Sequence, residues 1–171
     1  MTNVVLVVDM IRGFLEQGNN LYCGDEARQI IPTIKTLLKE QKEQGSTIIF
    51  VCDNHEIDDA EFEIFPVHCV NGTDEKEIID ELRGYSDEII YKRRYSAFFD
   101  TCLESRLVQT APSKLIICGV CTDICVLHTV ADARNRDYPV EVRSAAVASF
   151  DIDAHESALV HMRKILGANV I

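Results

Sequence analysis

The stretch Leu115-Ile116-Ile117-Cys118-Gly119-Val120-Cys121-Thr122-Asp123-Ile124-Cys125 decides the fold. Its first six residues are apolar or glycine with no polar alternation, the pattern of a strand covered on both faces. After Cys121-Thr122-Asp123 the chain takes up helical spacing over residues 125–136. A short buried strand that feeds straight into a helix is half of a β-α-β unit. The same alternation runs outward in both directions. Strand-like runs lie at 4–8, 47–52, 88–91, 140–147 and 169–171. Residues 26–44 carry Ile30, Ile31, Ile34, Leu37 and Leu38 at helical spacing and stop at Gly45. Residues 155–166 predict another helix, with Asp153 as N-cap and Gly167 as its end, and 75–82 predict a shorter one. This repetition predicts an α/β fold: a doubly wound three-layer α/β/α domain with a mainly parallel, about six-stranded sheet.

The 171 residues suit a single domain, with residues 54–72 as its one long irregular insertion. There are 17 Lys+Arg against 28 Asp+Glu, a formal charge of −11, and no basic run. That balance argues against nucleic acid or an anionic membrane as a partner. No apolar run approaches the ~20 residues of a membrane span. Seven cysteines stand at Cys23, Cys52, Cys69, Cys102, Cys118, Cys121 and Cys125. An odd number, placed mostly within apolar segments and behind no signal-like leader, predicts reduced thiols and a cytoplasmic location.

In open α/β sheets ligands bind beyond the carboxyl ends of the strands. The first strand ends in Asp9, the second in Asp53 with His55 behind it, and the third in Lys92 followed by Arg93, Arg94, Tyr95 and Ser96. The strand quoted above ends in the turn that carries Cys125. An acid, a base and a thiol therefore arrive at one edge of the sheet. Asp9 needs a partner at the end of a buried strand, and Lys92 could supply it as a structural ion pair or as part of a reacting group. Receiver domains also combine Asp with Lys, but they carry an acidic pair where Val8-Asp9-Met10 has one acid. Cys125 falls in the first turn of a helix, where unpaired N–H groups favour a thiolate and can hold an oxyanion. Cys118-x2-Cys121-x3-Cys125 lacks the second ligand pair that structural zinc needs. His128, three residues on, either packs on its helix or serves Cys125 as a base. A second cluster comprises Asp53, His55, Glu61 and His68. Nitrogen and oxygen donors at this spacing suit Zn²⁺, Fe²⁺ or Mn²⁺, or else form a solvated acidic loop, and Glu56, Asp58, Asp59 and Glu63 leave the choice of carboxylate open.

Together these residues resemble the isochorismatase-like cysteine hydrolases, and within them the nicotinamidases. The motifs are Val7-Val8-Asp9-Met10 with Phe14, Asp53-Asn54-His55, the run from Phe65 to Thr73, Lys92-Arg93-Arg94-Tyr95-Ser96-Ala97-Phe98, and Gly119 through Val126. The resemblance implies a triad of Asp9, Lys92 and Cys125, an oxyanion hole from the backbone N–H groups of Cys121 and Cys125, and a cis peptide at Val120–Cys121. It implies one divalent transition metal, zinc before iron or manganese, on Asp53, His55 and His68. The further loop histidine of many members is missing between His55 and His68, and Glu61 resembles the glutamate of a minority branch. Phe14, Phe65 and Tyr95 would wall a pocket for a flat ring. The implied activity is hydrolysis of nicotinamide to nicotinate and ammonia through a thioester, a step of NAD salvage. Another small amide, a carbamoyl compound or a vinyl ether is the alternative substrate, and a non-catalytic binding module the alternative role. The family often self-associates, which makes a homo-oligomer an expectation too.

Overall fold

The computed structural model describes residues 2–171. Six strands, β1 (Val4–Val8), β2 (Thr47–Asp53), β3 (Glu88–Lys92), β4 (Leu115–Val120), β5 (Val140–Ala148) and β6 (Asn169–Val170), form one sheet in the order β3-β2-β1-β4-β5-β6. Every neighbouring pair is parallel. The chain builds outward from β1 through β2 to β3, then returns to the other side of β1 for β4. The order therefore reverses between β1 and β4, where an open sheet leaves a crevice at its carboxyl edge. Register keeps that edge level: Val8 lies opposite both Val51 and Gly119, and Asp53 opposite Lys92.

Because strand side chains alternate between faces, β1 serves two cores. Val5 and Val7 pack with Ile34, Leu37 and Leu38 of α3 (Ile31–Glu43). Val4, Leu6 and Val8 pack with Leu103 and Leu107 of α4 (Leu103–Thr110), Val130 and Ala133 of α5 (Leu127–Asn135), and Leu159 and Met162 of α6 (Ile152–Lys164). This gives the expected three layers. Two short helices, α1 (Arg12–Leu15) and α2 (Asp25–Arg28), complete the first face.

Several elements differ from their sequence reading. The helix expected over 26–44 is split into α2 and α3, with Pro32 in the first turn of α3, where its missing N–H costs nothing. No helix spans 75–82. A single turn at Asp74–Lys76 gives way to extended chain, and Ile78 bridges Ile11 in antiparallel fashion. Burial of Ile78, Ile79 and Leu82 against the α3 face outweighs their helix-like spacing. The N-cap of α6 is Asp151, which accepts from the Ala154 N–H at 3.0 Å, and not Asp153. Helix α4 had no counterpart in the sequence reading.

Between β4 and α5 the chain does not enter a regular α-helix. Residues Thr122–Val126 form a π-helical turn, in which the Cys121 carbonyl accepts from Val126 N–H at 3.1 Å. Such widened turns recur at functional sites. The turn is tied down on both sides: Thr122 Oγ1 pairs with His155 Nδ1 at 2.8 Å, and Ser149 donates to Asp123 at 2.5 Å. The Val120–Cys121 peptide preceding it is cis.

Candidate active site

Asp9 is the first residue past β1 and takes the left-handed conformation, with φ 51°. That bend lets its N–H reach the Val51 carbonyl at 2.9 Å and aims its side chain across the edge of the sheet. Oδ1 accepts from the Asp53 N–H at 2.9 Å, and Oδ2 lies 2.8 Å from Lys92 Nζ. Lys92 is fully buried at the end of β3. Its ammonium donates to Asp53, faces Asp9, and reaches Cys125 Sγ at 3.4 Å. Three groups therefore lie around one ammonium, two as hydrogen-bond partners and Asp9 as an ion pair. Asp9, Asp53 and Cys125 each present an atom within 4.8 Å of the others.

One lysine thus faces two carboxylates and a thiol, so their proton affinities diverge. Burial and the neighbouring charge of Asp53 raise the Asp9 carboxyl to about 7, with Lys92 opposing. Burial also works to raise Asp53, but Lys92 and His55 outweigh it and bring Asp53 down to about 2. Burial depresses the Lys92 ammonium less than the two carboxylates raise it, and the net shift is upward. The Cys125 thiol is pushed up by burial, with Asp9 and Asp53 adding to the effect and Lys92 opposing it. The lowered thiol expected from the helix end and the lysine does not prevail against burial beside two acids. Burial thus raises both the Cys125 thiol and the Asp9 carboxyl, and Lys92 opposes the rise in each.

The second cluster lies on the next wall. Asp53, His55, Glu61 and His68 are all buried, and each offers a ligand atom within 4.8 Å of the other three. His55 Nε2 lies 3.6 Å from Asp53 Oδ2, while His68 Nε2 lies 3.9 Å from that oxygen and 3.8 Å from Glu61 Oε1. Bonds of 2.0–2.1 Å in a tetrahedron place ligand atoms about 3.3 Å apart, so the four are near the required spacing. Both histidines use Nδ1 elsewhere, His55 on Asp59 at 3.2 Å and His68 on the Pro66 carbonyl at 2.8 Å. Their Nε2 atoms are left facing the centre. His55 Nε2 and Glu61 Oε2 are buried with no hydrogen-bond partner. Unpartnered buried donors and acceptors are rare, and a cation between them would satisfy both. The residues present fit a divalent metal.

Both clusters open on one pocket, whose lining includes Asp9, Asp53, Glu61, His68, Cys121 and Cys125. Phe14, Phe65 and Tyr95 also line it, with Phe65 edge-on to Tyr95 at 6.4 Å. Leu21, Cys23, Ile124 and Phe150 line it as well, and sequence reasoning missed them. Phe150 follows β5, another strand end at the same edge, and that placement was the one signal available for it. Leu21 and Cys23 belong to a loop with no pattern to mark them. His128 is exposed; its Nδ1 pairs with the Ile124 carbonyl at 2.7 Å and its ring lies against Tyr95. The geometry gives it no link to the thiol.

The isochorismatase domain model matches residues 3–171. The chain belongs to the isochorismatase family. An isochorismatase family protein of Bacillus subtilis, PncA, is 35% identical over 181 residues that cover 99% of each chain. The crystal structure of a pyrazinamidase/nicotinamidase from Streptococcus mutans is 32% identical, with a TM-score of 0.93 over 99% of this chain and 100% of that one. The pyrazinamidase of Pyrococcus horikoshii in complex with zinc is 29% identical, with a TM-score of 0.92 over 100% and 99%. This isochorismatase-family chain is a hydrolase whose solved neighbours include nicotinamidases and an N-carbamoylsarcosine amidase, and no helix among its described residues is long and apolar enough to cross a membrane.

Proposed function

We propose that this isochorismatase-family hydrolase is a nicotinamidase, with Asp9, Lys92 and Cys125 as its catalytic residues. One observation carries the reading. The metal-type donors Asp53, Glu61 and His68 share a small aromatic-walled cavity with the thiol of Cys125. A substrate suited to that arrangement has a flat ring, a ligating atom on the ring and a carboxamide beside it. Nicotinamide meets all three conditions. When bound to Asp53, His55, Glu61 and His68, a divalent cation supplies a Lewis-acid anchor for the pyridine nitrogen. Zinc is the first choice for two nitrogen and two oxygen donors, and iron or manganese follow.

The remaining work falls to the protein. Asp9 takes the proton of Cys125 as Sγ attacks the carboxamide carbon. The N–H groups of Cys121 and Cys125 receive the oxyanion, and Lys92 stabilises the negative charge that moves between Asp9 and the sulfur. Asp9 then hands its proton to the amide nitrogen, the C–N bond breaks, and ammonia leaves a thioester on Cys125. Water attacks that thioester with Asp9 as its base. The C–S bond breaks, nicotinic acid departs and loses its proton to solvent, and Asp9 returns the proton it holds to sulfur. Burial that holds Asp9 near 7 suits a group that must both accept and donate.

The test is ammonia release from nicotinamide and from benzamide, which has the same ring and amide without the ring nitrogen. Nicotinamide is expected to turn over at least about a hundredfold better in kcat/KM, and a chelator to erase that advantage. Equal turnover of the two amides would remove the metal-anchored ring from the reading. Inertness towards both would move the reading to another small amide or carbamoyl substrate. An active enzyme of this kind would serve NAD salvage.

A further inference from the structure

Asp59 precedes the short turn Ala60–Glu63, and its side chain is 5% exposed. Its carboxylate makes three kinds of contact. Oδ2 pairs with His55 Nδ1 at 3.2 Å, and Oδ1 accepts the Glu61 backbone N–H at 2.9 Å. Arg94 Nη1 donates to both oxygens, at 2.8 and 3.0 Å. Arg94 stands two residues beyond Lys92 and also donates to the Arg93 carbonyl at 2.5 Å. The guanidinium therefore joins the end of β3 to the insertion that carries the metal-type donors.

We infer that Asp59, clamped by Arg94, is the positioning residue for two of the four metal ligands, His55 through its ring and Glu61 through its backbone. The inference rests on the metal reading given above. By accepting from Nδ1, Asp59 holds the His55 ring so that Nε2 faces Asp53 and His68. By capping the turn, it sets where the Glu61 side chain begins. His68 has its own anchor in the Pro66 carbonyl at 2.8 Å and does not depend on Asp59. Carboxylates that hold a ligating histidine by its other nitrogen are worth ~10–100-fold in metal affinity. Asp59 is unusual in serving a second ligand as well. This also explains why Asp59, although an acid in the same loop, is not a ligand: both its oxygens are already engaged.

Charge and positioning make opposite predictions at Arg94. Removing a positive charge near a cation site would tighten metal binding by Coulomb's law, whereas releasing the clamp on Asp59 would loosen it. Zinc affinity is measured by competition with a chromophoric chelator for the full-length wild type, Asp59→Asn, Arg94→Gln and Arg93→Gln. Arg93 carries the same charge on the same segment, but its guanidinium pairs with the exposed Asp100 at 3.1 Å. Asp59→Asn is expected to bind zinc about 10–100-fold more weakly, and Arg94→Gln about 3–10-fold more weakly, while Arg93→Gln holds or gains affinity. The visible spectrum of the cobalt-substituted protein should change in Arg94→Gln and not in Arg93→Gln, a signature that mere loss of stability would not give. Arg94→Gln binding zinc as tightly as the wild type, or more tightly, would overturn the inference, even if Asp59→Asn failed to fold. A wild type that binds no zinc would instead bring down the metal reading on which it rests.

Discussion

At the scale of single residues, the chemistry depends on environments more than on residue types. Seven cysteines are present, and six of them are buried. Cys118 lies on β4, and burial, opposed by the charge of Arg143, pushes its thiol up to about 12. Cys125, seven residues on, has Lys92 at 3.4 Å and two carboxylates nearby. Cys125→Ala is therefore expected to reduce ammonia release by at least about a thousandfold, while Cys118→Ala costs about 1 kcal/mol of stability and little rate. Steady-state assays with thermal melts on both variants decide it, and equal loss of rate in the two would remove Cys125 as the nucleophile. Asp9, Lys92 and Cys125 were legible because each ends a buried strand or opens the turn beyond one. The lowered thiol was not legible correctly. A helix end and a lysine can be read from sequence order, but the burial that outweighs them, with Asp9 and Asp53 adding to it, exists only in the folded site.

At the scale of elements, strands were read closely and helices less well, for a physical reason. A strand buried on both faces must be apolar at every position, so β1 and β4 announce themselves to the residue. A one-sided helix shares its spacing with other arrangements that bury one face. Residues 75–82 exploit this: Ile78, Ile79 and Leu82 are buried from extended chain and turns. The metal-type donors were legible as a cluster, but the part played by Asp59 was not, since several acids of that loop looked alike. The packing of elements also yields two stability predictions. Gly119 has φ +116°, and a Cβ there would meet the Val8 carbonyl oxygen at 2.0 Å, where β4 passes β1 at the switch point. Gly119→Ala is expected to cost more than about 3 kcal/mol or to prevent folding, by chemical denaturation or loss of soluble protein. Asp151→Ala removes the cap of α6 and should cost about 1 kcal/mol, whereas Asp153→Ala should be near neutral. The reverse order in urea melts would restore the cap to Asp153.

At the scale of the whole molecule, the fold brings parts far apart in sequence to one crevice. Asp9 comes from just past β1, Asp53 from β2, Lys92 from β3 and Cys125 from beyond β4, while the insertion after β2 brings His55, Glu61 and His68 to Asp53. Such a site is assembled by folding and does not exist in the unfolded chain. A cation that binds it consequently stabilises the entire protein by RT ln(1 + [L]/Kd), which is about 4 kcal/mol at a thousandfold excess over Kd. In a chain of this length each kcal/mol raises Tm by about 2–4 °C, so zinc should raise the melting temperature of chelator-treated protein by about 8–16 °C. Cys125→Ala should show the same rise, because the thiol is not among the four donors. His68→Ala should show little of it, because three donors remain and one wall of the site is lost. Differential scanning calorimetry of the three proteins with and without zinc separates the cases. A rise below about 2 °C in the wild type would mean that the four buried donors are not held in readiness for a cation, and that the orphaned Nε2 of His55 has some other partner.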